Sequence, residues 1–283
     1  MSTRVTSSMS APVITGEEND NLAHIRNTMI KFHIGRVVIV KEGRVKGIVT
    51  WTDLVKALIS LEKQWATQPI DQLLAKQVMT TNPVMIRQTK SVRLAAKTMT
   101  RYKISGLPVV DGQNELAGII TKTDVVRAIP RTKSSKIAVS KVMTTNVVTA
   151  SPNHTLYRAA SLMTQHGIAH LIVTEASTPV GIISKMDLAS FAPALNGFNE
   201  PRFVKQKRSK FGMAHPNRVY LVPLASDLMT TNLLIIRPEA TLAEASQIML
   251  RKGISCLPVV DETDSLLGVV TKSDLVRTVA RFR

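Results

Sequence analysis

Four times the chain reads glycine, two apolar residues, then a hydroxyl residue followed three positions later by aspartate. The instances end in Thr50 and Asp53, Thr121 and Asp124, Ser184 and Asp187, and Thr271 and Asp274. Gly-apolar-apolar reads as the end of a buried strand, and Thr/Ser-x-x-Asp as the entry to a helix. Two kinds of chemistry are open to such a corner. In one it is a capping box: the hydroxyl accepts the amide of the third helical residue and the carboxylate reaches back to the cap amide, in a first turn that also favours negative charge. In the other, the free amides of the turn and the hydroxyl receive a phosphate. The carboxylate, which only accepts, then holds both hydroxyls of a ribose. The two uses are compatible, one oxygen capping and the other holding sugar. Four recurrences in one frame favour the second.

The frame is an internal repeat. Met79-Thr80-Thr81-Asn82, Met143-Thr144-Thr145-Asn146 and Met229-Thr230-Thr231-Asn232 open three copies, and the distance from each Met to the terminal Asp agrees within one residue. The same distance back from Asp53 lands on Met9, so an eroded first copy begins the chain. After each opening come a short β-type stretch, a helix-period segment, a buried strand such as Leu107-Pro108-Val109-Val110, a second strand carrying the corner, and a short amphipathic helix. The predicted order is strand, helix, strand, strand, helix. So little structure cannot bury both faces of its sheet, so copies must pack in pairs, and the spacing of the corners supports pairing by sequence. The expected fold is α/β: two pseudo-symmetric modules of small mixed sheets flanked by helices. The divisions are 1–66, 67–133, 134–193 and 221–283 for the repeats, with a basic insertion at 194–220. That irregular connection is long enough to be uncommon inside a compact domain.

Taken together, Met-Thr-x-x-Pro/apolar, then Leu-Pro-Val-Val-Asp, then Gly-apolar-apolar-Thr-x-x-Asp resembles the CBS domain over nearly the whole chain. The resemblance implies paired repeats with clefts that take AMP, ADP, ATP or S-adenosylmethionine. In it Asp53, Asp124, Asp187 and Asp274 hold ribose. Thr50, Thr121, Ser184 and Thr271 meet phosphate, and Ile48, Ile119, Ile182 and Val269 border the adenine. A basic residue just ahead of the Leu-Pro step also reaches phosphate, which singles out Arg36 and His170 where the second and fourth copies have Gly106 and Cys256. Lys122 and Lys272, inside the corners, join the phosphate set; Lys185 is their counterpart in copy three, and Trp51 replaces it in copy one. Trp51 suits either stacking on a base or covering an apolar edge, the commoner use. Copy one lacks the Leu-Pro step, and copy three has Ile172 where proline is expected.

Net charge is +17, and the first 140 residues carry 21 Lys/Arg against 10 Asp/Glu, whereas residues 221–283 are balanced. Such a field attracts polyanions of any kind. The run Arg202-Phe203-Val204-Lys205-Gln206-Lys207-Arg208-Ser209-Lys210-Phe211 suits a solvated linker, a nucleic acid or an acidic partner. A single cysteine, Cys256, forms no internal disulfide and fits a reducing compartment. There is no long apolar run, so neither a leader nor a membrane span is expected, and the location expected is cytoplasmic. His166 and His170 are spaced for metal but straddle a helix end with no third ligand near. Met99, Met163 and Met249 fall at core positions of helices. No nucleophile triad, P-loop or paired carboxylate appears. The reading that follows is a regulatory, non-catalytic adenine-nucleotide sensor without metal, acting on an unidentified protein partner as monomer or homodimer. The alternative is a nucleic-acid-binding protein, with nucleotide gating the contact.

Overall fold

A computed structural model describes residues 3–59, 70–131, 133–191, 202–204 and 219–281. In the first repeat, β1 (Thr15–Gly16) leads to α1 (Leu22–Lys31), β2 (Arg36–Lys41), β3 (Arg44–Thr50) and α2 (Trp51–Ile59). The second opens with α3 (Ala75–Val78) and β4 (Thr80–Thr81), then runs β5 (Ile86–Arg87), α4 (Val92–Arg101), β6 (Gly106–Val110), β7 (Leu116–Thr121) and α5 (Lys122–Arg127). The third is β8 (Thr149–Ala150), α6 (Leu156–Gln165), β9 (His170–Glu175), β10 (Thr178–Ser184) and α7 (Lys185–Phe191). The fourth is α8 (Leu242–Arg251), β13 (Cys256–Val260), β14 (Leu266–Thr271) and α9 (Lys272–Arg281), its opening strand reduced to a bridge between Ile236 and Val259. The α/β order expected from the pattern is present in all four. Each first helix is capped by a side chain, from Asn21, Ser91, Thr155 or Thr241, that accepts the amide three residues on.

The insertion departs from expectation. Within it β11 (Arg202–Val204) pairs antiparallel with β12 (Val219–Leu221), so part of the connection is a strand pair. Both strands are rich in apolar and aromatic residues, the composition that favours extended pairing. The rest of the basic run, 205–211, lies outside the described residues.

Repeats join in two different ways. Sheets join neighbours in sequence by exchanging their openings. Thr80 and Thr81 pair with Ile48 and Gly47 of β3, and Ser10 pairs with Ile119 of β7. In the other half, Thr144 pairs with Val269 and Thr230 with Ile182. Cores join differently: Leu22, Ile25, Met29 and Leu58 of the first repeat pack with Leu156, Met163, Leu171 and Leu188 of the third. Met99, Leu107 and Ile129 of the second pack with Met249, Leu257 and Leu275 of the fourth. The exchanged openings also contribute to these cores, since Val5 and Val139 enter the second–fourth core while Leu73 and Ala225 enter the first–third. Met99, Met163 and Met249 are fully buried, as their helical spacing predicts.

The glycine ahead of each corner is there because an opening lies against it. A Cβ on Gly118 would stand 2.5 Å from Met9 Sδ and 3.1 Å from the Ser10 carbonyl oxygen, and Met79 and Met229 crowd Gly47 and Gly181 in the same way. At Gly268 the obstacle is backbone, the Thr144 carbonyl oxygen at 2.8 Å. Backbone yields less than a flexible thioether, so Gly268→Ala is expected to cost about 1–3 kcal/mol in urea unfolding. Gly112→Ala, where nothing lies within 4 Å of the added methyl, is expected to stay within about 0.5 kcal/mol of the parent. Equal effects at the two positions contradict the close-approach argument.

Candidate functional site

At every corner the carboxylate turns back on its own cap. Asp53 Oδ2 accepts the Thr50 amide at 2.8 Å and the Thr50 hydroxyl at 2.6 Å. Asp124 accepts both from Thr121 at 2.7 Å, and Asp187 both from Ser184 at 2.7 Å. Asp274 accepts from Thr271 at 2.8 and 2.6 Å. The corner is therefore a cap in all four repeats, but the hydroxyl donates where the capping box has it accept. Ser184 also accepts its third-residue amide, at 3.2 Å, and Thr271 accepts the Ser273 amide at 3.2 Å. In this arrangement the proton of Thr50, Thr121, Ser184 or Thr271 is committed to the carboxylate. To donate to a phosphate, these hydroxyls must turn.

The second carboxylate oxygen separates the repeats. Arg127 Nη1 lies 3.2 Å from Asp124 Oδ1, and Arg277 Nη1 lies 3.1 Å from Asp274 Oδ1. The first and third repeats have Lys56 and Ser190 at that position, and among the described residues no ion pair reaches Asp53 or Asp187. Burial raises the Asp53 pKa, opposed by the Thr50 hydrogen bonds and the charges of Lys56 and Lys185. Ile48, Ile119, Ile182 and Val269, expected to border the adenine, lie in the strands that receive the exchanged openings, with Thr80, Ser10, Thr230 and Thr144 respectively across from them.

The corners meet in pairs across the module boundary. Lys122 Nζ donates to Ser273 Oγ at 2.7 Å, and Lys272 Nζ returns to Thr123 Oγ1 at 3.1 Å, joining the second corner to the fourth. Lys185 Nζ reaches Thr52 Oγ1 at 3.2 Å, joining the third to the first. No reciprocal bond forms there, because the first repeat has Trp51, which packs at the edge of the first–third core. Trp51 is thus an edge cover. Lys185, equivalent to Lys122 and Lys272 by position, belongs to the cluster although it was not among the expected phosphate residues.

Arg36 and His170 stand in this meeting place, and neither is a surface cation. Arg36 Nη2 donates to Ser105 Oγ at 3.1 Å, while its Nη1 is buried without a partner. Nη1 lies where a Cβ on Gly106 would be, so the glycine is what leaves room for the guanidinium. Burial lowers the Arg36 pKa to about 10, with Asp124 opposing. Burial, then the charge of Arg36, bring Lys122 down to about 8. Lys272 is lowered by burial, partly offset by Asp124. His170 is pushed down to about 4 by burial and by Lys272, Lys185 and Lys122. Four cations and a neutral imidazole thus share a region from which water is largely withdrawn, with an unsatisfied donor among them. Such groups are costly unless paired.

Two cavities lie elsewhere. One of about 390 Å³ is lined by Ile235, Arg237, Ile248 and Arg251, and one of about 530 Å³ by Glu17, Glu18, Asp20 and His24. Neither is lined by a corner residue. Among the described residues no three His, Cys, Asp or Glu side chains are placed to share a metal ion, and no helix is long and apolar enough to cross a membrane.

The direction of the His170 shift fixes a pH dependence. Its folded pKa is depressed from 6.5 to about 4, so between those values the unfolded chain binds the proton more readily. The stability this represents is complete above about pH 6.5 and is lost as pH falls toward about 4. His170→Gln is therefore expected to narrow the difference in urea-unfolding free energy between about pH 7.5 and about pH 5. An unchanged difference places the acid sensitivity in other groups.

Comparison with known proteins identifies the repeats and the fold. A family profile described as CBS domain matches residues 4–60, 75–131, 139–193 and 225–281. Protein MJ1225 of Methanocaldococcus jannaschii is 23% identical over 209 residues, covering 72% of this chain and 69% of that protein. Its crystal structure shares the fold with a TM-score of 0.80 at 20% identity, covering 98% of this chain and 99% of the other. The CBS domain-containing protein YhcV of Bacillus subtilis is 33% identical over 115 residues, covering 40% of this chain and 81% of YhcV. Another relative from M. jannaschii, protein MJ1404, is 29% identical, but the match spans only 40% of its length. With four profile matches falling on the four corner-bearing repeats, the chain belongs to the CBS-domain family.

Proposed function

We propose that this protein is a non-catalytic sensor of phosphorylated adenine nucleotides, whose phosphates enter the shared cationic region. The observation that carries the reading is the buried guanidinium of Arg36, with Nη1 unpartnered and Lys122 and Lys272 close enough to feel its charge. A phosphate group supplies several acceptor oxygens at once, and a guanidinium suits such an anion. Asp53, Asp124, Asp187 and Asp274 supply the ribose contact. At Asp124 and Asp274 the sugar must displace Arg127 or Arg277, which are then released toward the phosphates. Ile48, Ile119, Ile182 and Val269, with the exchanged openings, form the adenine walls.

The same chemistry ranks the ligands. AMP, ADP and ATP place negative charge where Arg36, Lys122, Lys185 and Lys272 gather. S-adenosylmethionine brings a sulfonium to that region and no phosphate, so it ranks below them. Because Lys122 bonds Ser273 and Lys272 bonds Thr123 across the boundary between halves, phosphate occupancy alters how the halves are held. A coupling of about 1–3 kcal/mol suffices to switch affinity for a protein partner.

Titration calorimetry of the full chain with adenosine, AMP, ADP, ATP and S-adenosylmethionine tests the reading. The phosphorylated ligands are expected to bind more tightly than adenosine. Arg36→Met is expected to leave the free protein as stable or more so, since it removes an uncompensated buried charge. It is also expected to weaken ADP and ATP by about tenfold or more while leaving adenosine unchanged. Binding indifferent to phosphate, or no binding below about millimolar, rejects the proposal.

A further inference from the structure

The two pairs of repeats differ at a place the corners do not use. In every repeat the first helix ends in a turn with one residue at positive φ: His33 at 51°, Lys103 at 54°, Gly167 at 63° and Gly253 at 68°. Glycine adopts this backbone without strain and a side chain does not. The third and fourth repeats use glycine. The first and second retain a basic side chain, directly after an exposed aromatic: Phe32 is 47% accessible and Tyr102 52%. A cation lies over each ring, Lys31 Nζ at 5.2 Å from the Phe32 centroid and the Arg101 guanidinium at 5.6 Å from that of Tyr102. Neither ring belongs to a core cluster.

The two turns occupy equivalent positions in the first and second repeats. Arg36 and Gly106 hold the same position in their repeats and lie against each other, so they straddle the line that relates the two repeats by a half-turn. A half-turn preserves height along its axis. Phe32 and Tyr102, each four residues earlier, therefore stand at one level on either side of that line. Charge gathers there too. Neither α1 nor α4 contains an Asp or Glu, and α4 carries Arg93, Lys97 and Arg101 at four-residue spacing along one stripe. Glu17, Glu18, Asp20 and Glu42 of the first repeat line a cavity beside His24 at the opposite end of α1, about 15 Å away along a helix of that length.

We infer that this face of the first two repeats binds single-stranded nucleic acid. Unpaired bases stack on Phe32 and Tyr102, and phosphates are met by Lys31, Arg101, Lys103 and the α4 stripe. A duplex hides its base faces and gains nothing from the rings. An acidic polypeptide matches the charge but leaves the rings without a use. The platform is independent of the nucleotide clefts.

The test is fluorescence anisotropy of the full chain with a labelled oligouridylate of about 15 nucleotides, without added nucleotide. Affinity is expected to fall with salt, with a log–log slope of about −0.7 for each phosphate neutralised. Phe32→Ala and Tyr102→Ala are each expected to weaken binding by about tenfold. The double variant His33→Gly, Lys103→Gly separates binding from folding. It installs the residue that the other two repeats already use, so it is expected to melt no lower than the parent while binding several-fold more weakly. The inference is overturned if these variants bind like the parent, if a duplex of equal length binds as tightly, or if polyglutamate of equal charge competes equally. Because nucleotide is absent, either outcome leaves the sensor proposal to its own titration.

Discussion

No repeat in this chain closes its own sheet. The strand that ends in each corner receives the opening of a neighbouring repeat, by a backbone pair at Ile48, Ile119, Ile182 or Val269 and by a methionine or carbonyl over the preceding glycine. Much else follows from that exchange. It fixes which repeats share a sheet, places the neighbour's opening beside the adenine-border residue, and leaves one helical face of each repeat to be covered by a repeat from the other half. A single repeat, too small to bury both faces, is thereby covered on one side by its sequence neighbour and on the other by its counterpart two repeats on.

Where these two contacts intersect, the corners come together. The fold places Lys122 against Ser273, Lys272 against Thr123 and Lys185 against Thr52 at the boundary between halves. It then admits Arg36 by making its counterpart a glycine. The third and fourth repeats show the same large-and-small alternation, His170 with Cys256. A long polar side chain in each half, cationic Arg36 in one and neutral His170 in the other, thus points into a region already rich in ammonium groups. Burial gives the arrangement its consequence, because it lowers the pKa values of Arg36, Lys122, Lys185 and Lys272.

Much of this was legible in the residues. The helix and strand order and the four corners depend on local spacing, which a linear pattern records. The alternation of Arg36 and His170 with Gly106 and Cys256 was visible, but not its reason, which is that a guanidinium needs the space a side chain on residue 106 would fill. The partner of each opening was not legible, because Met79-Thr80-Thr81 looks the same whether it serves its own strand or β3. Pairing of cores between the first and third repeats left no trace either, since an amphipathic helix declares that one face is buried and not against what. Lys185 was recognisable by alignment of the corners, and only its bond to Thr52 shows that it joins the same cluster. The second oxygens of Asp124 and Asp274, held by Arg127 and Arg277, were hidden in what reads as an ordinary charged helix turn.

The exchange also imposes an order on the birth of the molecule. As the chain leaves the ribosome, β3 is finished at Thr50, yet its outer edge waits for Thr80 and Thr81. At about 5–20 residues per second that is a delay of a few seconds. The helices of the first repeat wait longer, for α6 and α7, before their apolar faces are covered. The nascent first repeat therefore presents a bare strand edge until Thr81 emerges, and an unsatisfied greasy surface until the third repeat follows.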